Sequence, residues 1–444
     1  MTDFSAETLG RHVDDPTARG IARSIAGLVN QGVLRPGDRL PTVRSLATTL
    51  GIGRSAVADA WKILSDHAFI ETARRNGTVV RDRRRAGRSR YWSVPADSGM
   101  LRVDLSTGTP DADLLPPIGP ALGRLTDRIE VTSYIDPPTL PELEGHLIER
   151  WPYAPGAVTI VDGALDALDR LVTALVSFGD PVVVEDPTFP PLVDMLELAG
   201  AEIIPVSVDR RGVVPAEFAA ALGRRPVACF IQPFAQNPTG ASIDPSRLTE
   251  LGALLRALDD PPWIVEDDHT GAALGAIGTS LAAIVPDRGV TVVSFSKTHG
   301  PDLRLAAVGG SAEIVGRLIE RRRLGPTWTS RLLQHLLLGM LLDAETNELV
   351  EHARTIYHAR RQAFADGLAA AGRRVELGNG LNMWVPVDDD LRATWALAVE
   401  QIGVAPGRPF MIRRSDQSFL RISVGGVRSG IPDLAQSIAA AAFA

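Results

Sequence analysis

Cysteine is nearly absent from this chain of 444 residues. Cys229 stands alone, which excludes an internal disulfide and a cysteine-rich zinc site and makes a reducing cytoplasm the expected setting. Long apolar runs are missing too. Residues 1–15 hold no stretch apolar enough for a secretory signal, and the greasiest run, Leu332 to Leu342, is interrupted by Gln334 and His335. Neither secretion nor membrane spanning is expected. Lysine is the sharpest shortage: of 46 basic residues only Lys62 and Lys297 are lysines, a bias that arginine-rich codon usage explains. Chemistry that needs a side-chain primary amine therefore has two candidates.

What is present is ordinary for folded protein, 45% hydrophobic and 22% charged, so disordered, collagen-like and coiled-coil classes fall away. The length allows roughly two to four domains. The net charge of -7 hides an asymmetry, because residues 1–85 carry 14 Lys+Arg against 9 Asp+Glu and the remainder 32 against 44. A basic head on an acidic body predicts that only the head meets nucleic acid.

In the head, Ile21, Ile25, Leu28 and Val29 fall on one helical face that Gly32 ends. Thr42 is placed to cap a second helix with Val43, Leu46, Ala47 and Leu50 inward; Gly51-Ile52-Gly53 breaks it, and a third runs from Arg54 to His67 around Val57, Trp61 and Leu64. Two short helices about a glycine-containing turn predict a helix-turn-helix. Two alternating segments around Arg74-Arg75-Asn76-Gly77 predict a hairpin wing. A small helical domain with a merely solvated basic surface is the competing reading, and the conjunction of helices, wing and charge weighs against it.

The words themselves, Leu34-Arg35-Pro36-Gly37-Asp38-Arg39-Leu40-Pro41-Thr42-Val43-Arg44, then Leu50-Gly51-Ile52-Gly53-Arg54-Ser55 and Asn76-Gly77-Thr78, resemble the winged helix of GntR-type bacterial regulators over residues 15–81. By that resemblance Arg44, Arg54 and Ser55 reach DNA from helix N-termini, and Asn76 and Gly77 bring the wing tip to the minor groove. Gly53 and Ala58 depart from relatives that carry polar or basic side chains there. Residues 83–102, with Arg83-Arg84-Arg85 and Arg88, read as a flexible basic tether that can also touch phosphates.

From residue 103 onward, apolar runs predicted as buried strands (Pro181 to Glu185, Val227 to Ile231, Trp263 to Val265, Thr291 to Phe295) alternate with amphipathic segments such as Ala164 to Phe178 and Pro245 to Leu258. This predicts a mostly parallel sheet covered by helices, with ligand chemistry off the carboxyl ends of the strands. Asp186, Asn237, Asp267, Asp268 and Ser294-Phe295-Ser296-Lys297 gather there. Lys297 would ordinarily be a surface cation, but it is the body's only lysine, and an aldehyde cofactor needs an amine for its Schiff base.

These pieces resemble the aminotransferase class of fold-type I pyridoxal-phosphate enzymes over residues 103–444. The resemblance implies a Schiff base at Lys297, a phosphate held by Ser294, Arg304 and the backbone amides of Gly163 and Ala164, and Phe189 stacked on the ring. It further implies Asn237 on the ring hydroxyl, Asp267 in preference to Asp268 on the ring nitrogen, Tyr134 reaching the partner subunit's phosphate, and Arg421 clamping an amino-acid carboxylate. His269 joins the cofactor set at the position where relatives carry a tyrosine; Leu165 and Thr139 depart from a polar residue and a glycine.

Head and body together resemble the MocR subfamily of bacterial regulators. The expected fold is multidomain: a winged helix-turn-helix, mainly α, over 1–82, a linker over 83–102, and an α/β fold-type I transferase-like body. In the body, residues 103–371 form the large domain and 372–444 a small C-terminal α/β subdomain. The expected function is a cytoplasmic, homodimeric regulator that binds operator DNA and senses pyridoxal phosphate, or an amine or amino acid exchanging at Lys297. No metal is expected. Two other readings stand beside it, an active aminotransferase with a DNA-binding head and a cofactor-free dimerisation module.

Overall fold

The structure, a computed structural model, describes residues 4–30, 33–66, 69–73, 77–81, 90, 101–125, 133–275 and 280–442. The chain divides into two compact units. One comprises Met1–Ser93 with Val176–Asp180 and Asp194–Glu202, and the other Val94–Leu175, Pro181–Val193 and Ile203–Ala444.

The first unit contains helices Ala6–Gly10, Ala18–Asn30, Val43–Leu50 and Arg54–Asp66 and the antiparallel strands β1 (Ile70–Ala73) and β2 (Gly77–Val80). The Thr42 hydroxyl accepts from the Ser45 amide at 3.1 Å, the expected cap, and Gly51 ends that helix at φ 67°, where a side chain would be strained. Leu9, Ile21, Ile25, Leu46, Val57 and Trp61 share one core, with Val43 and Leu50 half-buried against it. The short first helix, capped by Ser5, was not foreseen, since five residues hold too little periodicity to register.

The second unit is built on an eight-stranded sheet. Its strands are β4 (Ala157–Val161), β5 (Pro181–Asp186), β6 (Glu202–Asp209), β7 (Gly212–Val213), β8 (Ala228–Ile231), β9 (Trp263–Asp268), β10 (Gly289–Ser294) and β11 (Ala306–Gly310), while β3 (Val103–Asp104) lies elsewhere. Their spatial order is β4-β11-β10-β9-β8-β5-β6-β7. The central pairs β5·β8, β8·β9 and β9·β10 are parallel, as the alternation predicts, and β11 runs antiparallel to both β10 and β4. Strands β8, β9 and β10 are buried along their whole length, which is why they read as unbroken apolar runs.

A smaller sheet of order β12-β15-β14 combines β12 (Asn382–Val387), β14 (Ala405–Pro406) and β15 (Ser418–Ser423), with β13 (Ile402–Gly403) paired to β3 in parallel. Val103 and Leu105 thus pack into the C-terminal core with Met383, Leu420 and Ile438, whereas the sequence reading groups residue 103 with the large domain. One 27-residue helix, Ala344–Ala370, sends Phe364 and Leu368 into that core and Ala353 and Tyr357 into a separate cluster with Leu381. The helix Ile431–Ala441 crosses it at Gly367, where a Cβ would stand 2.7 Å from that of Ala435.

Candidate cofactor site and DNA-binding surface

Strand register draws one group of residues together at the sheet edge. Val161 lies opposite Ala306, and Ala306 opposite Ser294, so Gly163, Arg304 and Ser294 all fall just past or at one end of three adjacent strands. Gly163 has φ +99°, and a Cβ there would come within 3.1 Å of an Arg304 Nη atom. The guanidinium therefore lies against the start of the helix Ala164–Leu175, whose free amides and dipole favour an anion. Ser294 is buried, its hydroxyl accepting from the Ser296 amide at 3.3 Å.

Lys297 follows immediately. Its Nζ donates to His269 Nδ1 at 2.5 Å, while His269 Nε2 donates to the Ala235 carbonyl at 2.9 Å, which assigns the proton to Nε2. Burial, the Lys297 charge and the Arg421 charge hold the His269 pKa well below the ordinary imidazole range. Lys297 itself is pulled down to about 8, chiefly by burial and then by Arg421, with Asp267 and Asp268 opposing. The shift brings the amine close enough to neutrality for both protonation states to be populated at physiological pH.

The two aspartates at the end of β9 part company. Asp268 is saturated: one oxygen accepts from the Thr270 amide (2.9 Å) and hydroxyl (2.6 Å), the other from the Ala273 amide (2.7 Å). Asp267 accepts from Gln232 Nε2 at 2.6 Å through Oδ2, and its buried Oδ1 has no partner among the described residues. Burial raises the Asp267 pKa to about 6, with the Asp268 charge adding to the rise.

Asn237 is buried. Its backbone amide donates to Gln232 Oε1 at 2.8 Å and its carbonyl oxygen accepts from Asn382 at 3.2 Å, leaving its own amide hydrogens uncommitted among the described residues. Phe189 is half-buried, three residues beyond the end of β5.

Gln232 and Glu185 escaped the sequence reading. Gln232 orients both Asp267 and Asn237, and Glu185 accepts from the Gln232 amide at 3.1 Å while burial pushes its pKa to about 8. Both stand at strand ends among apolar runs, the signal that singled out Asn237.

Arg421, on β15, is buried and donates to the Ser106 carbonyl, with its guanidinium 5.3 Å from the Phe410 ring centre. Gly108, at φ +66°, leaves it room, since a Cβ there would approach within 3.1 Å. Tyr134 is 86% exposed with its ring 5.8 Å from that of Trp328, and no hydrogen bond ties it to the residues around Lys297 among the described residues.

On the first unit, Arg44, Arg54 and Ser55 are exposed in the first turns of their helices, and neither arginine forms an ion pair among the described residues. Gly77 is exposed at φ +73°, which suits a tight turn. Asn76, Arg83-Arg84-Arg85 and Arg88 lie outside the described residues. No helix among the described residues is long and apolar enough to cross a membrane.

Comparison with known proteins matches two families. Residues 102–438 match aminotransferase class I and II, and residues 17–80 match the bacterial regulatory proteins of the gntR family. The vitamin B6 salvage pathway transcriptional repressor PtsJ of Salmonella typhimurium is 35% identical over 86% of this chain and 88% of its own. The HTH-type pyridoxine biosynthesis transcriptional regulator PdxR of Corynebacterium glutamicum is 28% identical over 78% of each. In three dimensions the body is similar to LysN, the α-aminoadipate aminotransferase of Thermus thermophilus. There the TM-score is 0.68 at 22% identity, covering 81% of this chain and 98% of that one.

Proposed function

Since the chain belongs to the aminotransferase class I and II family and carries a GntR-family head, the combination of the MocR-type regulators, we propose that it is a DNA-binding transcriptional regulator. Its body binds pyridoxal phosphate and responds to that cofactor or to an amine that competes with Lys297 for it. The names of PtsJ and PdxR, both tied to vitamin B6, support the choice of cofactor.

The residues present fit the group. The observation that carries the fit is Asp267 Oδ1, a buried acceptor with no donor among the described residues, on a carboxylate that acts electrostatically on a lysine whose amine is partly neutral at physiological pH. When bound, pyridoxal phosphate supplies an aldehyde that condenses reversibly with primary amines. Lys297 would offer its amine, with His269 Nδ1 accepting one of its protons and fixing its direction. Asp267 would hold a proton on the ring nitrogen, Asn237 would donate to the ring hydroxyl, and Phe189 would cover the ring face. Gly163, Ala164, Ser294 and Arg304 would hold the phosphate, and Arg421 a carboxylate on the incoming amine.

A homodimer belongs to the same reading, because Tyr134 and Ile135 are 86% and 91% exposed and a second chain would give them a surface to cover. Arg44, Arg54, Ser55, Asn76 and Gly77 would meet operator DNA. A ligand shifts the output only through unequal affinity for two states of the body. The deciding experiment measures operator binding and transcription in vitro for wild type and Lys297→Ala across a titration of pyridoxal phosphate and amine; identical responses in the two proteins refute Schiff-base sensing. An amine near pKa 8 equally suits an amine-transferring enzyme, and steady-state turnover with amino donors and 2-oxo acids separates that reading from the regulator.

A further inference from the structure

A cavity of about 450 Å³ opens beside Lys297 in the second unit. Of the residues assigned above to the cofactor, Lys297 alone lines it; Asp267, Asn237, Ser294, Gly163 and Arg304 do not, and Arg421 does not. Its walls are largely apolar, with Phe234, Ile243, Val350, Ala353, Tyr357 and Leu381. Its charges are of one sign: Lys297, Arg354 and Arg361 line it, with His358, and no Asp or Glu does so among the described residues.

The row arises from helical periodicity. Val350, Arg354, Tyr357, His358 and Arg361 are spaced i, i+4, i+7, i+8 and i+11 and so occupy one face of the helix Ala344–Ala370. Arg354 is half-committed, donating to Glu351 at 2.5 Å and to the Gly271 carbonyl at 3.4 Å. Arg361 differs, because it is 4% exposed and all of its partners among the described residues are neutral. Nε donates to the Gly378 carbonyl at 3.0 Å, Nη1 to the Gly380 carbonyl, and Nη2 to His358 Nδ1 at 3.3 Å. With Nδ1 accepting, His358 keeps its Nε2 hydrogen to offer. Burial pushes the Arg361 pKa down to about 10. A buried guanidinium with no carboxylate partner among the described residues is costly, and an anion entering the cavity would supply the missing charge.

We propose that this cavity is a second ligand site, distinct from the cofactor and its carboxylate clamp, that takes a small organic carboxylate with an apolar body and no required amine. The carboxylate is met by Arg361 and His358, with Arg354 beside them, and the apolar end lies along Val350, Ala353 and Leu381. Because Lys297 borders the same space, an anion there stabilises its ammonium form, opposing Arg421. The site thus couples a second metabolite class to the amine that receives the cofactor.

The test uses the cofactor-free full-length chain, so that its outcome is independent of whether pyridoxal phosphate binds. Calorimetric titration with 3-phenylpropanoate is compared with its neutral amide, 3-phenylpropanamide. We expect the carboxylate to bind at least about tenfold tighter, the ratio a charge-assisted hydrogen bond gives. Arg361→Gln should erase that preference. Ala353→Phe, which adds an aromatic ring to the apolar wall of the cavity and leaves Arg361 itself unchanged, should abolish binding of both compounds and keeps the test valid if Arg361→Gln does not fold. With only two lysines, ¹⁵N-lysine labelling resolves Lys297 from Lys62, and its titration midpoint should rise by about 0.5 pH or more with bound carboxylate. Absence of binding, equal affinity for acid and amide, or binding that survives Ala353→Phe but is lost in Arg421→Gln would each overturn the assignment.

Discussion

Replacing Asp267 by asparagine should produce two opposite effects. Its Oδ1 is the one carboxylate oxygen at the end of β9 left without a partner among the described residues, and a charge-assisted hydrogen bond to the ring nitrogen is worth about 1.5–3 kcal/mol. Loss of that bond should weaken retention of pyridoxal phosphate by roughly 10- to 150-fold. The cofactor-free chain should respond in the other direction. Burial raises the Asp267 pKa from an ordinary 3.8 to about 6, so its contribution to stability is present below the unfolded value and is lost as pH rises through 6. At pH 7.5 the ionised carboxylate costs on the order of 3 kcal/mol, and removing it should raise the melting temperature by a few degrees. Asp268→Asn should behave in reverse: burial raises this pKa as well, but all three bonds to its carboxylate run to the following turn and offset that cost, and one of those buried donors would be stranded, at about 1–3 kcal/mol. It should melt earlier while holding the cofactor nearly as well. Absorbance-monitored dialysis and calorimetry of both variants read the two quantities. If Asp268→Asn loses the cofactor and Asp267→Asn keeps it, the assignment is displaced by one residue.

Borohydride reduction with pyridoxal phosphate should label Lys297 alone; peptide mapping that recovers the label on Lys62 refutes the site. Capture of the cofactor by the free amine should speed up about tenfold per pH unit below 8 and level off above it. Arg421→Gln, by removing a cation that depresses the amine, should move that midpoint upward in stopped-flow measurements; a downward or absent shift contradicts the electrostatics. Arg44→Ala and Arg54→Ala should each flatten the log-log salt dependence of operator binding by about one unit if they contact phosphate, or cost roughly 1–3 kcal/mol at one base position if they read a guanine; a gel-shift series in salt tells which.

Much of the candidate site is legible in the sequence because polar residues at the ends of apolar strands have few structural reasons to be there. Lys297, Asn237 and the Asp267-Asp268 pair announced themselves in that way. Which aspartate keeps an oxygen without a partner among the described residues is decided by the turn at Thr270 and Ala273, whose amides bind Asp268 and on paper could bind either residue. Strand β11 was missed because Ala306–Gly310 is a run of mostly small residues with little strand propensity, held between β10 and β4 by tertiary pairing. Arg361 was hidden for another reason. It sits in a helix rich in arginine, and only the fold of residues 378–381 over it turns one exposed-looking cation into a buried one.

The helix Ala344–Ala370 is a single unbroken rod of about 40 Å. Its C-terminal half is anchored in the small core by Phe364 and Leu368, and its start is pinned by Asp343, which caps it and accepts from Arg124 at 3.1 Å. A straight rod converts rotation about one end into translation of the other. A tilt of about 5° at the anchored end carries the far end about 3.5 Å, enough to break a hydrogen bond outright. Small adjustments around a bound molecule would then be delivered as a sizeable displacement near Arg124 and Leu342, and a helix-breaking substitution such as Ala359→Pro would disconnect the two ends without touching any ligand.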